Sequence, residues 1–202
     1  KEAFPDHGWK VEDGQLIVLK SGGGESTNGG DIVSDKEYAA FELSVEFKIT
    51  PGANSGIKYF VTEAEKQSGS AYGLEYQILD DKLHPDAKLY TTFPGSRTLA
   101  SLYDMMPAQN KRFNGVGNWN QAVLKVFPNN HVEHWLNGFK TLEYERGSDA
   151  FRELVKGSKY AAPSYNEAGR FGEAPKGHIL LQDHGDAVSY THLRAHETLR
   201  HL

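Results

Sequence analysis

Residues 73–86 combine a strand pattern with groups that can exchange protons and bind hydroxyl groups. Side chains alternate across a β-strand, so Glu75 and Gln77 project from one face while Tyr76 and Ile78 project from the other. One face can therefore pack in a core while the other presents a carboxylate and an amide together. This arrangement suits a sugar-binding site or an acid–base site.

The residues that follow this strand add acids and a histidine where the chain leaves the sheet. Asp80 and His84 could complete a site or bind a divalent ion, and they could equally stabilise the turn itself. Residues 131–138 and 177–185 repeat the pattern of a polar-studded strand that ends at a glycine. We expect the three segments to line one shared cleft.

Alternation also assigns faces within residues 131–138. Val132 and Leu136 form the apolar pair that should face the core, which places Glu133 and Trp135 on the solvent or ligand face. His134 shares the core parity. A buried, hydrogen-bonded histidine and a role in the site are therefore both open for His134.

The strand at residues 178–181 predicts a further polar surface. Ile179 and Leu181 should face the core, so Gln182 and His184 reach the opposite side and the following turn. These two residues are the better cleft candidates on this strand.

Other polar and aromatic residues could extend the site. Asn54 and Lys58 share one strand face, although a lone lysine is usually solvated. Tyr103 and Trp135 offer flat rings that can stack on the apolar face of a sugar while amides and carboxylates bind its hydroxyl groups. Core packing is the alternative for each ring.

The whole chain is rich in strand patterns and poor in helical periodicity. The strongest pattern is at residues 41–49, where five apolar residues alternate with polar ones, and glycine-rich or polar turns separate the strand-like runs. These features predict an all-β, two-sheet antiparallel β-sandwich. Residues 148–156 could form a short helix capped by Ser148 or Asp149, inside a long loop near residues 148–175 that could act as a lid.

Composition limits the class of protein. The chain has 202 residues, of which 38% are hydrophobic, enough for one well-filled core. A net charge of -5 without a basic block excludes a typical nucleic-acid partner. With no cysteine there is neither a disulfide framework nor a thiolate zinc site. No apolar run approaches the ~18 residues that a membrane span needs.

The motifs, taken in order, resemble the 3-keto-disaccharide hydrolase family, whose fold is a concanavalin-like jelly roll. They extend over roughly residues 9–189 and include, as sequence strings, NSGI at 54–57, EYQILDD at 75–81, HPDA at 84–87, LYD at 102–104, WN at 119–120, EHWLNG at 133–138 and LQDHG at 181–185. The resemblance implies a hydrolase that acts on carbohydrates and needs no cofactor. A divalent ion such as Ca²⁺ could bind at residues 80–81 or 183–186.

The resemblance also implies a substrate, a glycoside oxidised to a ketone at the third carbon of the sugar. The ketone acidifies the hydrogen on the second carbon, so a base can remove it, the leaving group can depart by elimination and water can add back. We expect Glu133 or His184 to act as base or acid, with Glu75 as the other member of the pair. The expected substrate-binding residues are Asn54, Lys58, Gln77, Asp80, His84, Tyr103, His134, Trp135 and Gln182.

The end of the chain departs from this family. Residues 190–202 do not continue the sandwich pattern and resemble translated sequencing-adapter read-through of the kind found in metagenomic assemblies. We therefore expect a single catalytic domain at residues 1–189, a non-native tail, and a missing closing strand that leaves a sheet edge open. Family resemblance further implies a bacterial protein exported to the periplasm or beyond, with a lipid anchor possible upstream of Lys1.

Two alternatives from other classes stay open. An ordinary glycoside hydrolase of laminarinase type shares the fold, but the sequence lacks the compact Glu-x-Asp-x-x-Glu strand motif that places two carboxylates near one bond. A non-catalytic carbohydrate-binding module is the second alternative, because a sandwich fold does not decide function. Such a module would tolerate loss of Glu75 and Glu133.

Overall fold

Two antiparallel β-sheets that share one apolar core build the fold. The computed structural model describes residues 4–62, 66–67, 70–166 and 169–197. The seven-stranded sheet contains β1 (Trp9–Glu12), β2 (Gln15–Val18), β4 (Phe41–Ile49), β9 (Asn120–Val126), β10 (His131–Leu136), β11 (Phe139–Glu145) and β13 (Val188–Glu197), in the order β1-β2-β13-β4-β9-β10-β11. The four-stranded sheet contains β3 (Ile32–Tyr38), β5 (Asn54–Val61), β8 (Leu74–Leu79) and β12 (Gly177–Leu181), in the order β3-β12-β5-β8. A separate hairpin pairs β6 (Lys66–Gln67) with β7 (Ser70–Ala71). The predicted antiparallel sandwich is confirmed.

Strand β4 shows why the sequence forms a sandwich. Its apolar residues are all buried in the core between the sheets, while the residues between them are exposed or half-buried. Period-two alternation matches the pleat of a strand that packs on one side only. β4 pairs with β9 on one side and β13 on the other, so it lies well inside its sheet.

Strands β5 and β8 differ from β4 because every one of their residues is buried. One face of these strands packs against the seven-stranded sheet. The other face forms the floor of a cleft whose walls include Tyr72, Tyr103, Tyr160 and Tyr165. The residues that project into this cleft are polar, so the sheet carries a chemical face enclosed by loops.

The predicted helix is confirmed at α1 (Asp149–Gly157). Ser148 is its N-cap, and the Ser148 hydroxyl accepts a hydrogen bond of 3.1 Å from the backbone N–H of Phe151. Phe151 and Val155 bury the apolar side of the helix in the core. None of the described helices is both long and apolar enough to cross a membrane.

The chain after α1 is ordered by contacts rather than by regular structure. A 3₁₀ helix (Lys159–Ala161) follows at once, and a second one (Pro85–Lys88) lies after β8. The buried Arg146 guanidinium donates hydrogen bonds to the carbonyl oxygens of Gly172 (3.0 Å) and Ala174 (2.7 Å). The long loop is therefore pinned at its far end, and it carries Lys159 to the cleft.

The expected missing strand is the main error about the fold. Residues Val188–Glu197 form β13, which pairs with both β2 and β4. Their register shifts between Thr191 and Arg194, where His192 has a positive φ of 49°. A strand can form here because the backbone of β4 offers hydrogen-bonding groups that do not depend on the side chains of the partner. The sheet edge is therefore not open at β4, whereas the read-through origin of residues 190–202 and the domain limit at residue 189 stay predictions.

Candidate active site

The floor of the cleft is built from alternate residues of neighbouring strands. On β5, Asn54, Gly56 and Lys58 share the cleft face. On β8, Glu75 lies opposite Lys58 and Gln77 lies opposite Gly56. Directly opposed side chains on one sheet face lie about 5 Å apart at their β-carbons. The strand register alone therefore places the side chain of Lys58 beside the carboxyl group of Glu75.

Gly56 makes room for the carboxyl group of Glu75. A β-carbon placed on Gly56 would lie only 2.1 Å from Glu75 Oε1, far inside van der Waals contact. The Glu75 side chain therefore lies across the backbone of the neighbouring strand in the space that any other residue would occupy.

The surroundings of Glu75 alter its acidity. Burial raises the pKa of Glu75 to about 7, against the opposing effect of the positive charges of Lys58 and Lys159. Within the described ranges, no hydrogen-bond donor to its carboxyl group is found. Glu75 thus combines a pKa near neutrality with a place in the lining of the cleft, the properties of a general base.

Lys58 and Glu25 form a buried ion pair beside Glu75. Lys58 is 3% exposed, and its Nζ donates to Glu25 Oε1 at 2.7 Å and to the carbonyl oxygen of Ala71 at 3.2 Å. Burial disfavours the Lys58 ammonium, but the nearby carboxylates of Glu75, Glu25 and Asp31 raise the Lys58 pKa overall. Both Lys58 and Glu25 are therefore charged at neutral pH.

The Glu25 carboxylate is held in place on two sides. Burial acts to raise its pKa, but Lys58 and the amide of Gln182, which donates from Nε2 to Glu25 Oε1 at 2.8 Å, hold that pKa at about 2. Glu25 and Glu75 line the same cleft with pKa values pushed far apart.

Lys159 enters the cleft from the loop side, surrounded by aromatic rings. Its Nζ lies 4.6 Å from the ring centre of Tyr103, 5.2 Å from that of Tyr160 and 5.6 Å from that of Tyr165. Its backbone N–H donates to Asp104 Oδ2 at 2.7 Å, which fixes the start of this turn. Burial lowers the pKa of Lys159, while the charge of Glu75 opposes that effect. Cation–π contacts keep the ammonium in place without neutralising it.

Seven of the predicted site residues line this cleft. They are Asn54, Lys58, Glu75, Gln77, Tyr103, Gln182 and His184. The cleft encloses about 280 Å³, close to the lower end of the range for ligand pockets (~300–1,000 Å³), so it fits a small ligand.

The predicted place of Glu133 and Trp135 in the same cleft is wrong. Both lie on β10 in the other sheet and project from its outer face, since Val132 and Leu136 face the core. There, Trp135 Nε1 donates to Glu133 Oε2 at 2.8 Å and Lys125 Nζ lies 5.0 Å from the Trp135 ring centre. Alternation assigned the face of the strand correctly but could not say to which sheet the strand belongs.

The predicted substrate contact of His134 is also wrong, because His134 lies in the core with no exposed surface. Its Nδ1 donates to the carbonyl oxygen of Ala100 at 3.0 Å, so Nε2 accepts from the Tyr59 hydroxyl at 2.9 Å. Burial lowers the pKa of His134 to about 4. The alternative of a buried, hydrogen-bonded histidine is confirmed.

Asp80 and His84 stabilise turns. Asp80 Oδ2 accepts from the backbone N–H of Gly52 at 2.8 Å and Asp80 Oδ1 from that of Lys82 at 3.0 Å, outside the cleft. His84 Nδ1 accepts from the N–H of Asp86 at 3.1 Å, where it caps a 3₁₀ helix. The turn-forming alternative is confirmed for both, although the His84 ring centre lies 6.4 Å from that of His184 at the cleft.

The carboxylates considered for calcium accept hydrogen bonds from other groups of the protein. Asp81 accepts from Leu99 N–H and Lys111 Nζ, Asp183 from N–H groups of residues 28 and 185, and Asp186 from Asn54 N–H. Over the residues that the structure describes, these carboxylates do not converge into a set of three metal ligands. Calcium binding there stays a prediction without support from the geometry.

Comparison with known proteins shows the family of the chain. A family model described as the 3-keto-alpha-glucoside-1,2-lyase-like domain matches residues 1–195. The chain belongs to this family. It is 35% identical over 204 residues to a 3-keto-disaccharide hydrolase of Bacteroides thetaiotaomicron, an alignment that covers 92% of the chain and 69% of the relative. The predicted resemblance is confirmed, and the chain is an enzyme of this hydrolase family with a carbohydrate substrate.

Solved structures support the same assignment. A glycosyl hydrolase-like protein of Parabacteroides distasonis ATCC 8503 is 28% identical, with a TM-score of 0.77 over 95% of this chain and 84% of that one. The carbohydrate recognition domain of Emp46p is 14% identical, with a TM-score of 0.52 over 96% of this chain and 88% of that one, and shows the fold alone. Membership of an enzyme family argues against the non-catalytic binding module.

Several functional residues were not predicted from the sequence. Glu25 and Tyr165 come from loops, Lys159 and Tyr160 come from the 3₁₀ helix after α1, and all four line the cleft. A lysine on a strand that is buried on both faces calls for a carboxylate partner, which is a signal for an acid like Glu25. For Lys159 the only signal is its place after a well-capped helix in a long loop, and this does not say which way the loop folds.

Proposed function

We propose that the chain cleaves glycosides that carry a ketone at the third carbon of the sugar, by removing the proton on the second carbon. The observation that carries the proposal is Glu75, a carboxyl group with a pKa of about 7 in a cleft beside Lys58 and Lys159. A ketone lowers the barrier for this proton transfer, and cations that stabilise the enolate oxygen lower it further. The 1,2-lyase-like description of the family fits the same bond changes.

Glu75 is the proposed base. At a pKa of about 7 a large fraction is ionised at neutral pH, and the carboxylate is basic enough to take a proton from the carbon beside a ketone. Gly56 leaves the carboxyl group on the surface of the sheet, where a sugar ring can approach it.

Lys159 is the proposed partner of the ketone oxygen. Lys58 already donates to Glu25 at 2.7 Å, whereas Lys159 forms no ion pair within 4 Å in the described part of the chain. Its ammonium can therefore donate a hydrogen bond to the ketone and hold the negative charge that develops on the oxygen. Lys58, which lies opposite Glu75 on the neighbouring strand, adds further positive potential.

The remaining steps need a proton donor and a water molecule. The electron pair released at the second carbon forms a double bond to the first carbon as the glycosidic C–O bond breaks. His184, which lines the cleft, is the proposed donor of a proton to the leaving oxygen. Water then adds to the first carbon and gives up a proton to His184, while Glu75 returns its proton to the second carbon, so the net change is hydrolysis with one water consumed.

A second candidate function rests on Glu25 and Glu75 as a pair. Carboxylates with pKa values of about 2 and about 7 resemble the nucleophile and acid of an ordinary glycoside hydrolase. We rank this second, because Lys58 and Gln182 already occupy Glu25 Oε1.

The test is product release from a 3-keto-disaccharide and from its unoxidised parent, measured with the unmodified chain and two matched variants. Glu75→Gln removes the proposed base, and Glu133→Gln makes the same change on the opposite side of the sandwich. We expect 3-ketoglucose from the oxidised sugar only, lost in Glu75→Gln and kept in Glu133→Gln. Cleavage of the parent sugar would favour the ordinary hydrolase instead. The location in the periplasm or outside the cell stays a prediction.

A further inference from the structure

Two buried amide oxygens at the cleft have no hydrogen-bond partner among the described residues. They are Asn54 Oδ1 and Gln182 Oε1, on side chains that line the cleft and belong to residues 4% and 3% exposed. Native proteins pair nearly all buried polar atoms, because an unpaired one destabilises the fold. Two such acceptors at one cleft therefore indicate a ligand that supplies donors.

Both oxygens lie next to the position of the proposed base. Gln182 N–H donates to the carbonyl oxygen of Gly56 at 3.0 Å, and Asn54 lies two residues before Gly56 on the same face of β5. The carboxyl group of Glu75 occupies the space above Gly56. A sugar that reaches Glu75 must therefore pass its neighbouring ring atoms over Asn54 and Gln182.

The orientation of the Gln182 amide is fixed by its surroundings. Its Nε2 donates to Glu25 Oε1 at 2.8 Å, and a carboxylate with a pKa of about 2 can only accept. The Gln182 oxygen is therefore left as an unpartnered acceptor for a ligand. An oxygen acceptor binds a hydroxyl group and repels a ketone oxygen, which has no hydrogen to donate.

We propose that Asn54 and Gln182 form a subsite for ring hydroxyl groups that sets the direction in which the sugar binds. The two acceptors take hydroxyl donors, and Lys159 takes the ketone oxygen from the loop side of the cleft. The subsite proposal rests on the proposed function, which supplies the ketone at the third carbon of the sugar. Its consequence is that the ketone turns toward Lys159, which leaves the proton of the second carbon at Glu75.

The test measures binding rather than turnover, in the Glu75→Gln background. The probes are methyl 3-keto-α-glucoside and its 4-deoxy and 6-deoxy analogues, titrated by calorimetry. Asn54→Leu removes the acceptor, and Asn54→Asp keeps an oxygen at the same place. We expect Asn54→Leu to weaken binding about tenfold, and Gln182→Met to do the same, while Asn54→Asp stays within about threefold of the parent.

The deoxy sugars separate a direct contact from a general disturbance. At least one deoxy sugar should bind the Glu75→Gln protein about tenfold more weakly than the full sugar does. Adding Asn54→Leu should not weaken the binding of that deoxy sugar any further. The midpoint of thermal unfolding of Asn54→Leu should not fall, because the variant removes an unpaired buried atom. Equal binding of all three sugars by the parent chain, or full affinity in Asn54→Leu, would overturn the subsite.

Failure of this subsite and failure of the proposed function give different results. A chain that shows the deoxy pattern but releases no 3-ketoglucose keeps the subsite and loses the function. A chain that releases 3-ketoglucose while its binding ignores Asn54→Leu keeps the function and loses the subsite.

Discussion

Replacement of Gly56 by alanine should disable the enzyme while leaving it folded. The new β-carbon would lie 2.1 Å from Glu75 Oε1, and ordinary contact begins at 3.4 Å, so the carboxyl group must move by about 1.3 Å. A displacement of about 1 Å at a catalytic group costs roughly 100-fold in rate. We therefore expect kcat/KM to fall about 100-fold in Gly56→Ala.

The fold should tolerate this change. Gly56 does not have a positive φ, so alanine fits the backbone, and a Gly to Ala change at a compatible site stabilises by about 0.4–1 kcal/mol through the unfolded chain. That gain offsets part of the cost of moving Glu75. The midpoint of thermal unfolding should then stay within a few degrees of the parent, as measured by calorimetry beside the rate assay.

A double-mutant cycle shows whether Gly56 acts through Glu75. Asp is one methylene shorter than Glu, so Glu75→Asp draws the carboxyl group back by about 1.5 Å. The combined variant should lose much less activity than the two single effects multiplied together, because the shorter acid no longer meets the new methyl group. Full activity in Gly56→Ala, or simple multiplication of the two effects, would refute the role of Gly56.

Three further predictions concern charge and packing. Glu75 has a folded pKa of about 7, above its ordinary value of 4.5. Its contribution to the free energy of unfolding is therefore fully present below pH 4.5, and up to about 3 kcal/mol of it is lost as the pH rises through 7. Denaturant titrations should show this loss in the unmodified chain and not in Glu75→Gln. The rate of cleavage should rise over the same pH range as Glu75 ionises. Lys159→Met should lower kcat about 100-fold with little change in stability, because methionine still packs against the tyrosine rings, and a variant that keeps its kcat would contradict the role of the ammonium. His134→Leu should lower the free energy of unfolding by about 2–4 kcal/mol, because Tyr59 and Ala100 lose a buried partner, while the rate per folded molecule stays unchanged in an active-site titration.

The strands could be predicted because their patterns are local. Phe41–Ile49 alternates with period two, and alternation also places Glu75 and Gln77 on one face of β8. Register then brings Lys58 opposite Glu75, which the motif order alone did not reveal. The floor of the site was therefore largely predictable from the sequence.

The walls of the site and the grouping of strands were not predictable. Period two tells which side of a strand Glu133 occupies, but sheet order arises from pairing between distant segments, so Glu133 was assigned to the wrong cleft. Lys159 is held at the cleft by the hydrogen bond from its N–H to Asp104 Oδ2, a contact between segments far apart in the sequence. The strand pairing of Val188–Glu197 rests on backbone groups, which side-chain patterns do not report.

Proton abstraction at the second carbon is the central claim, and isotope tracing tests it most directly. A 3-keto-disaccharide deuterated at that carbon is incubated with the chain in ordinary water, and the 3-ketoglucose released at early times is examined by NMR beside deuterated 3-ketoglucose kept in buffer. We expect slower release than from the undeuterated sugar, with deuterium lost from the product to the extent that the proton on Glu75 exchanges with water before its return. Product that retains the deuterium, released at an unchanged rate, would contradict it.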